Sequence, residues 1–160
     1  MKERPTTDRA KEGLFNILQN RFDLDTVEVL DLFAGTGSIS YEFCSQGSTI
    51  VTAVEKDRQL TAFIRDTAED LGMERLHVRH EDALRFLDQT EGSYDLIFAD
   101  PPYERMKLYQ EVLERVRDRV LLKEGGVLIL EHDEGTEPGK GAELQERRSF
   151  GNSCFSFFVF

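Results

Sequence analysis

Cysteine is scarce in this 160-residue chain: there are two, Cys44 and Cys154. They lie far apart and in no CxxC or metal-ligand spacing, which argues against a disulfide framework or a zinc module and for two reduced core thiols. Long apolar runs are also lacking. None approaches the roughly 20 residues that span a bilayer. The opening Met1-Lys2-Glu3-Arg4-Pro5 has no apolar stretch of the kind that makes a secretion signal. The expected setting is the cytoplasm, with no membrane and no metal. Positive charge is the third shortage. Twenty Lys and Arg stand against 31 Asp and Glu, a net charge of -11. Nucleic-acid binders usually present a basic face, and this total supplies none. The distribution is uneven, because residues 1 to 21 sum to +2 and the other 139 to -13. An acidic body with a local basic lip is compatible with that split.

What is present is ordinary for a globular domain: 39% apolar and 32% charged residues. The length suits one domain, residues 1-160, which buries roughly 70% of its unfolded surface. Pro5-Thr6-Thr7-Asp8 reads as a helix start with Thr7 or Asp8 as cap. Ala10, Leu14, Phe15, Ile17 and Leu18 then recur at helical spacing. Apolar strands follow at 27–33, 49–55, 76–79, 94–99 and 126–131. Helical segments lie between them at about 38–45, 57–71, 83–87 and 108–122. Strand and helix alternating in this way predict right-handed crossovers and a mostly parallel sheet covered on both faces. After a Gly- and Glu-rich loop at 133–143, two β-rich runs, 144–150 and 154–160, flank Gly151-Asn152-Ser153 and predict an antiparallel hairpin on the sheet edge.

"VLDLFAGTGSIS" puts Gly35 and Gly37 where the first strand turns into a helix. Glycine lets the backbone take positive φ and approach a ligand closely, and the helix start offers free N–H groups. A dinucleotide fingerprint would need glycine at 40, where Ser40 stands. Acids complete the pattern. Glu55 ends the second strand and suits the two hydroxyls of a ribose. Asp82 follows the third strand and suits the amino group of an adenine. Asp31, on the first strand, suits a ligand ammonium. Ribose, adenine and a cationic amino acid along one sheet edge describe S-adenosylmethionine better than a dinucleotide.

"FADPPYERM" ends the fourth strand. Two prolines stop the strand, since neither has an N–H to give the sheet. They follow a carboxylate, Asp100, and precede a ring, Tyr103. In the expected topology this strand lies beside the first, so Asp100 opens next to the glycine loop. An exocyclic amine is a poor nucleophile whose lone pair is delocalised into its ring. Asp100 and the Pro101 carbonyl are suited to hold its two hydrogens, and Tyr103 to stack on the extruded base.

"DLFAGTG" with "DPPY" resembles the class I amino-methyltransferases of Rossmann-like fold. With "RPTTDRAKEGLFNIL" and "LILEH" in the same order, the chain resembles the RsmD-type methyltransferases of bacterial small-subunit ribosomal RNA. The resemblance implies a mostly parallel seven-stranded sheet with helices on both faces, S-adenosylmethionine as cofactor, and transfer to guanine N2. It implies ribosomal RNA, or a small-subunit assembly intermediate, as partner. It assigns Asp31, Phe33, Gly35, Thr36, Gly37, Glu55, Lys56, Asp82 and Ala83 to the cofactor. Asp100, Pro101, Pro102 and Tyr103 form the catalytic clamp, and Arg4 and Thr6 lie on the substrate side. Two departures are expected: the basic strand pair that precedes the Arg-Pro-Thr segment in the family is missing, and Thr67 stands where an Asn is common.

Other readings stay open. A DNA adenine-N6 or cytosine-N4 methyltransferase usually carries an added recognition region. A glutamine-N5 protein methyltransferase usually has Asn where Asp100 stands. A non-catalytic cofactor-binding module would suit the acidic charge. His77 and His80 read as edge residues, while His132 falls near the ligand edge of the sheet.

Overall fold

The computed structural model describes residues 6–102, 104–139 and 143–160. Arg4, Pro5 and Tyr103, named above, lie outside them. The chain runs α1 (Asp8–Arg21), β1 (Glu28–Leu32), α2 (Ser38–Ser45), β2 (Ile50–Glu55), α3 (Arg58–Asp70), β3 (Leu76–His80), α4 (Ala83–Gln89), β4 (Tyr94–Ala99), α5 (Lys107–Asp118), β5 (Leu122–Asp133), β6 (Leu144–Phe150) and β7 (Ser153–Phe158). The helix starts follow from short polar side chains. Thr7 accepts from the Ala10 N–H at 3.1 Å, and Asp57 from Leu60 at 2.9 Å. Asp82 takes both the Leu84 and Arg85 N–H groups.

The seven strands form one sheet in the order β3-β2-β1-β4-β5-β7-β6. β3, β2, β1, β4 and β5 are parallel, and the β6–β7 hairpin adds antiparallel to β5. Alternate residues of each strand face opposite sides. Val29, Val51, Leu96, Ile129 and Phe157 pack with α1, α2 and α3, whereas Leu30, Val54, Ile97, Leu128 and Phe158 pack with α4 and α5. β1 and β4 are neighbours, and the helices that follow them, α2 and α5, leave to opposite faces. A crevice therefore opens at the carboxyl ends of these two strands, where open sheets of this kind bind ligands.

Two boundaries differ most from the expectation, the others by one or two residues. The helix expected to reach residue 122 stops at Asp118, because Val120 turns into the left-handed region at φ 53. The fifth strand begins earlier than 126, at Leu122, with a register shift against β4 between Tyr94 and Leu96. That first stretch is largely exposed and carries little apolar pattern, so nothing in the sequence marked it.

Candidate active site

The glycine loop leaves β1 through a constrained path. Phe33, a non-glycine residue, sits at φ 58, and Gly35 and Gly37 follow at φ 60 and φ 88. A left-handed phenylalanine is sterically unfavourable and persists only where surroundings enforce it, as functional turns do. Several hydrogen bonds supply that enforcement. The Ala34 N–H donates to the Val54 carbonyl at 3.0 Å, and the Gly37 N–H to the Ala34 carbonyl at 2.9 Å. Gly35 donates to Glu55 Oε1 at 2.8 Å. At Gly37 a Cβ would come within 2.7 Å of the Tyr41 ring, so glycine is required there on two counts.

Behind the loop lies Asp31, only 1% exposed. Its Oδ2 accepts from the Ser40 hydroxyl at 2.7 Å. Burial pushes its carboxyl up to about 7, with the neighbouring carboxylates of Glu55 and Glu131 adding to the rise and Ser40 opposing it. The Ser40 hydroxyl and backbone N–H use only part of this buried carboxylate's accepting capacity, and a ligand ammonium is the kind of charge that would satisfy the rest. Glu55, also buried, divides its oxygens: Oε1 takes the Gly35 N–H and Oε2 the Asp57 N–H at 2.9 Å.

Asp100 follows β4 and shares one cavity of about 150 Å³ with Asp31, Phe33, Gly35, Thr36 and Thr6. Pro101 is buried and Pro102 half-buried. The Pro102 carbonyl accepts from Arg105 at 3.0 Å, closing the turn into α5. Thr6 reaches this cavity from the other end of the chain. Its hydroxyl donates to Glu131 Oε1 at 2.6 Å, and Glu131, at the end of β5, is 1% exposed. Thr6 is thereby held as one wall.

The structure thus brings Thr6, Asp31, Phe33, Gly35, Thr36 and Asp100 to a common space, and Glu55 joins them through its bond to Gly35. Asp82 and Ala83 lie further along the same edge, where Asp82 is engaged as the cap of α4. The Lys56 side chain is exposed, and its carbonyl meets His80 Nε2 at 3.0 Å. His132 is not part of the cavity. It is fully buried, bonded through Nδ1 to the Asp133 carbonyl and through Nε2 to Ser156 Oγ, and burial lowers its pKa. Among the described residues no His, Cys, Asp and Glu cluster fit for a metal ion occurs. No described helix is long and apolar enough to cross a membrane. Sequence reasoning missed Ser40 and Glu131 as site residues. Ser40 carried a signal, since a residue three places after the second loop glycine faces back onto β1.

A family model described as "Conserved hypothetical protein 95" matches residues 1–159. "Putative rRNA methyltransferase YlbH" of Bacillus subtilis is 33% identical over 138 residues, 84% of this chain and 73% of that protein. "Ribosomal RNA small subunit methyltransferase D" of Escherichia coli K12 is 30% identical over 130 residues, 81% of this chain and 64% of that protein. Among solved structures, "Putative methyltransferase yhhF from Escherichia coli" superimposes with a TM-score of 0.85 at 26% identity, covering 95% of this chain and 85% of that one.

Proposed function

This chain belongs to the family described as conserved hypothetical protein 95, and we propose that it methylates the exocyclic N2 of a guanine in small-subunit ribosomal RNA. The coarser statement, a class I methyltransferase of ribosomal RNA that uses S-adenosylmethionine, follows from that membership. We read residues 1-160 as one methyltransferase domain working in the cytoplasm. The observation that carries the reading is that Asp100 and Gly35, from adjacent strands β4 and β1, line one cavity.

When bound, S-adenosylmethionine supplies an electrophilic methyl group on a sulfonium sulfur. Asp31 would hold the ammonium of its methionine portion, and the backbone of Phe33 to Gly37 would carry the chain of the amino acid. Glu55 would take the ribose on lone pairs left over from its two backbone bonds. Asp82, with Ala83, lies toward the adenine.

Asp100 and the Pro101 carbonyl accept the two hydrogens of the target amine. Held so, the amine would be fixed for in-line attack, and most of the rate would come from this positioning. Accepting a methyl group would leave the nitrogen cationic. The Asp100 carboxylate would stabilise that charge and accept the departing proton. Pro101 and Pro102 would hold both acceptors in place, and the stacking role expected of Tyr103 falls on a residue outside those described. Thr6 closes the cavity on the substrate side, with Arg4 ahead of it.

Titration calorimetry with S-adenosylhomocysteine tests the cofactor; no heat at millimolar ligand ends this reading. Mass mapping of ribosomal RNA nucleotides with and without the gene identifies the target. A methylated adenine N6 or cytosine N4 in DNA would substitute the other substrate class. Asp100→Ala is expected to abolish modification while leaving S-adenosylhomocysteine binding within a few-fold. If that variant modifies RNA normally, the chain holds the cofactor without using the clamp.

A further inference from the structure

The cationic side chains of the described residues are sharply partitioned. Seven make ion pairs, such as Arg115 with Asp88 at 2.9 Å and Lys123 with Glu28 at 3.3 Å. Arg65, Arg75 and Arg119 donate to main-chain carbonyls, and Lys11 to the Ser38 hydroxyl at 3.2 Å. Six have no side-chain partner among the described residues: Arg9, Lys56, Arg58, Arg85, Arg105 and Lys107. All six are exposed.

These six share one end of the molecule. Arg9 is in the first turn of α1, whose approach holds Thr6 in the cavity wall. Lys56 and Arg58 flank the Asp57 cap after β2, Arg85 is in the first turn of α4 after β3, and Arg105 and Lys107 bracket the start of α5 after β4. Every one lies at the carboxyl edge of the sheet. Partners are not in short supply in a chain with 31 acids and 20 Lys and Arg. Helix N-termini also favour acids over cations, so these placements run against the local dipole. Two acids at this edge, Asp57 and Asp82, are engaged as helix caps, and Glu81 pairs with Arg79. Asp8, Glu12 and Glu104 share the rim, so the attraction acts at individual points and not as a broad positive field.

We propose that Arg9, Lys56, Arg58, Arg85, Arg105 and Lys107 are phosphate contacts, an arc by which this acidic protein holds the RNA backbone around the extruded base. The proposal rests on the methyltransferase reading above and adds the means of substrate binding. Charged side chains left unneutralised at the mouth of a site suit a polyanion that supplies the missing charge on arrival. Because binding then releases counterions, affinity falls steeply with salt.

The test is fluorescence anisotropy of a labelled single-stranded ribosomal RNA fragment against salt concentration, with S-adenosylhomocysteine present. It reads phosphate contact whether or not a methyl group is transferred. If all six engage, the log–log slope is on the order of -4, and each charge removed lowers it by about 0.7. Arg105→Gln with Lys107→Gln is expected to weaken RNA binding about tenfold near physiological salt, with the S-adenosylhomocysteine affinity within twofold of wild type. Arg65→Gln and Arg148→Gln, away from the rim, are expected to leave the slope unchanged. RNA binding with equal slopes in wild type and the rim variant overturns the arc alone, and the methyltransferase reading survives. A loss seen only with protein-containing ribosomal particles assigns the rim to a protein partner and overturns the phosphate contacts. Absence of cofactor binding in the wild type instead removes the underlying reading.

Discussion

Glu55 holds the Gly35 N–H at 2.8 Å while its other oxygen takes the Asp57 N–H at 2.9 Å. One side chain thus fixes both the glycine loop after β1 and the turn into α3. Glu55→Gln replaces one acceptor by an NH2 group that faces a backbone N–H. We expect a stability loss of about 1–3 kcal/mol and a drop in S-adenosylhomocysteine affinity of tenfold or more. Thermal melts and titration calorimetry on the same preparation check both. Unchanged affinity in a destabilised variant would reduce Glu55 to a structural brace.

Asp31 predicts an unusual pH response. Its folded pKa is raised from 3.8 to about 7, so the folded protein holds this proton longer than the unfolded chain. Below the unfolded value both states are protonated and the group has no effect. As pH rises from about 4 to about 7, stability is lost, by on the order of a few kcal/mol in total. Asp31→Asn keeps an acceptor for Ser40 and removes the titration. The variant should melt close to wild type near pH 4 and several degrees higher at pH 8. His132, whose pKa is lowered by burial, acts in the opposite direction, so the difference between variant and wild type is the quantity to follow. Cofactor affinity of the wild type should rise with pH through about 7, and the variant should lose both the affinity and its pH dependence.

Helix α1 meets the sheet edge through Gly13. A Cβ there would lie 2.2 Å from Phe150 Cε1, so the ring must move. Alanine normally favours a helix over glycine by ~1 kcal/mol. We expect Gly13→Ala to reverse that preference and destabilise by about 1–3 kcal/mol through overpacking. Phe150→Leu in the same background should recover part of the loss. An additive double mutant would show that the contact is not the cause.

Val120 is 75% exposed and sits at φ 53, where a β-branched residue is strained. Val120→Gly removes the strain at little cost in buried surface, partly offset by the flexibility of glycine in the unfolded chain. A gain of about 0.5–1 kcal/mol is expected, which raises Tm by roughly 2 °C in a domain of this size. A lower Tm would mean that the Val120 side chain makes a contact worth more than its backbone strain.

Much of the architecture was legible because the strands carry it locally. β1, β2 and β4 are short apolar runs with a turn signal at each end, and the hairpin was marked by Gly151-Asn152-Ser153. The neighbouring position of β1 and β4, which places Asp100 beside the glycine loop, followed from the strand order expected of an alternating, doubly wound sheet. What stayed hidden depends on distance along the chain or on strain. The Thr6–Glu131 bond joins residues 125 positions apart, and neither residue advertises the other. Val120 reads as a good helical neighbour of Val116, and only the backbone turn reveals that the helix has already ended. His132 was expected near the ligand edge, yet the pleat turns it toward Ser156 and away from the cavity.

The wall that Thr6 builds against Glu131 has a temporal consequence. During synthesis the first helix is made long before its anchor on β5, 125 positions on from Thr6, and its neighbour Phe150. The glycine loop and the clamp can therefore be made and partly folded while their shared chamber still lacks a side. Contacts this distant in sequence are slow to form, so competence to receive an acceptor waits on residues well beyond the central half of the chain.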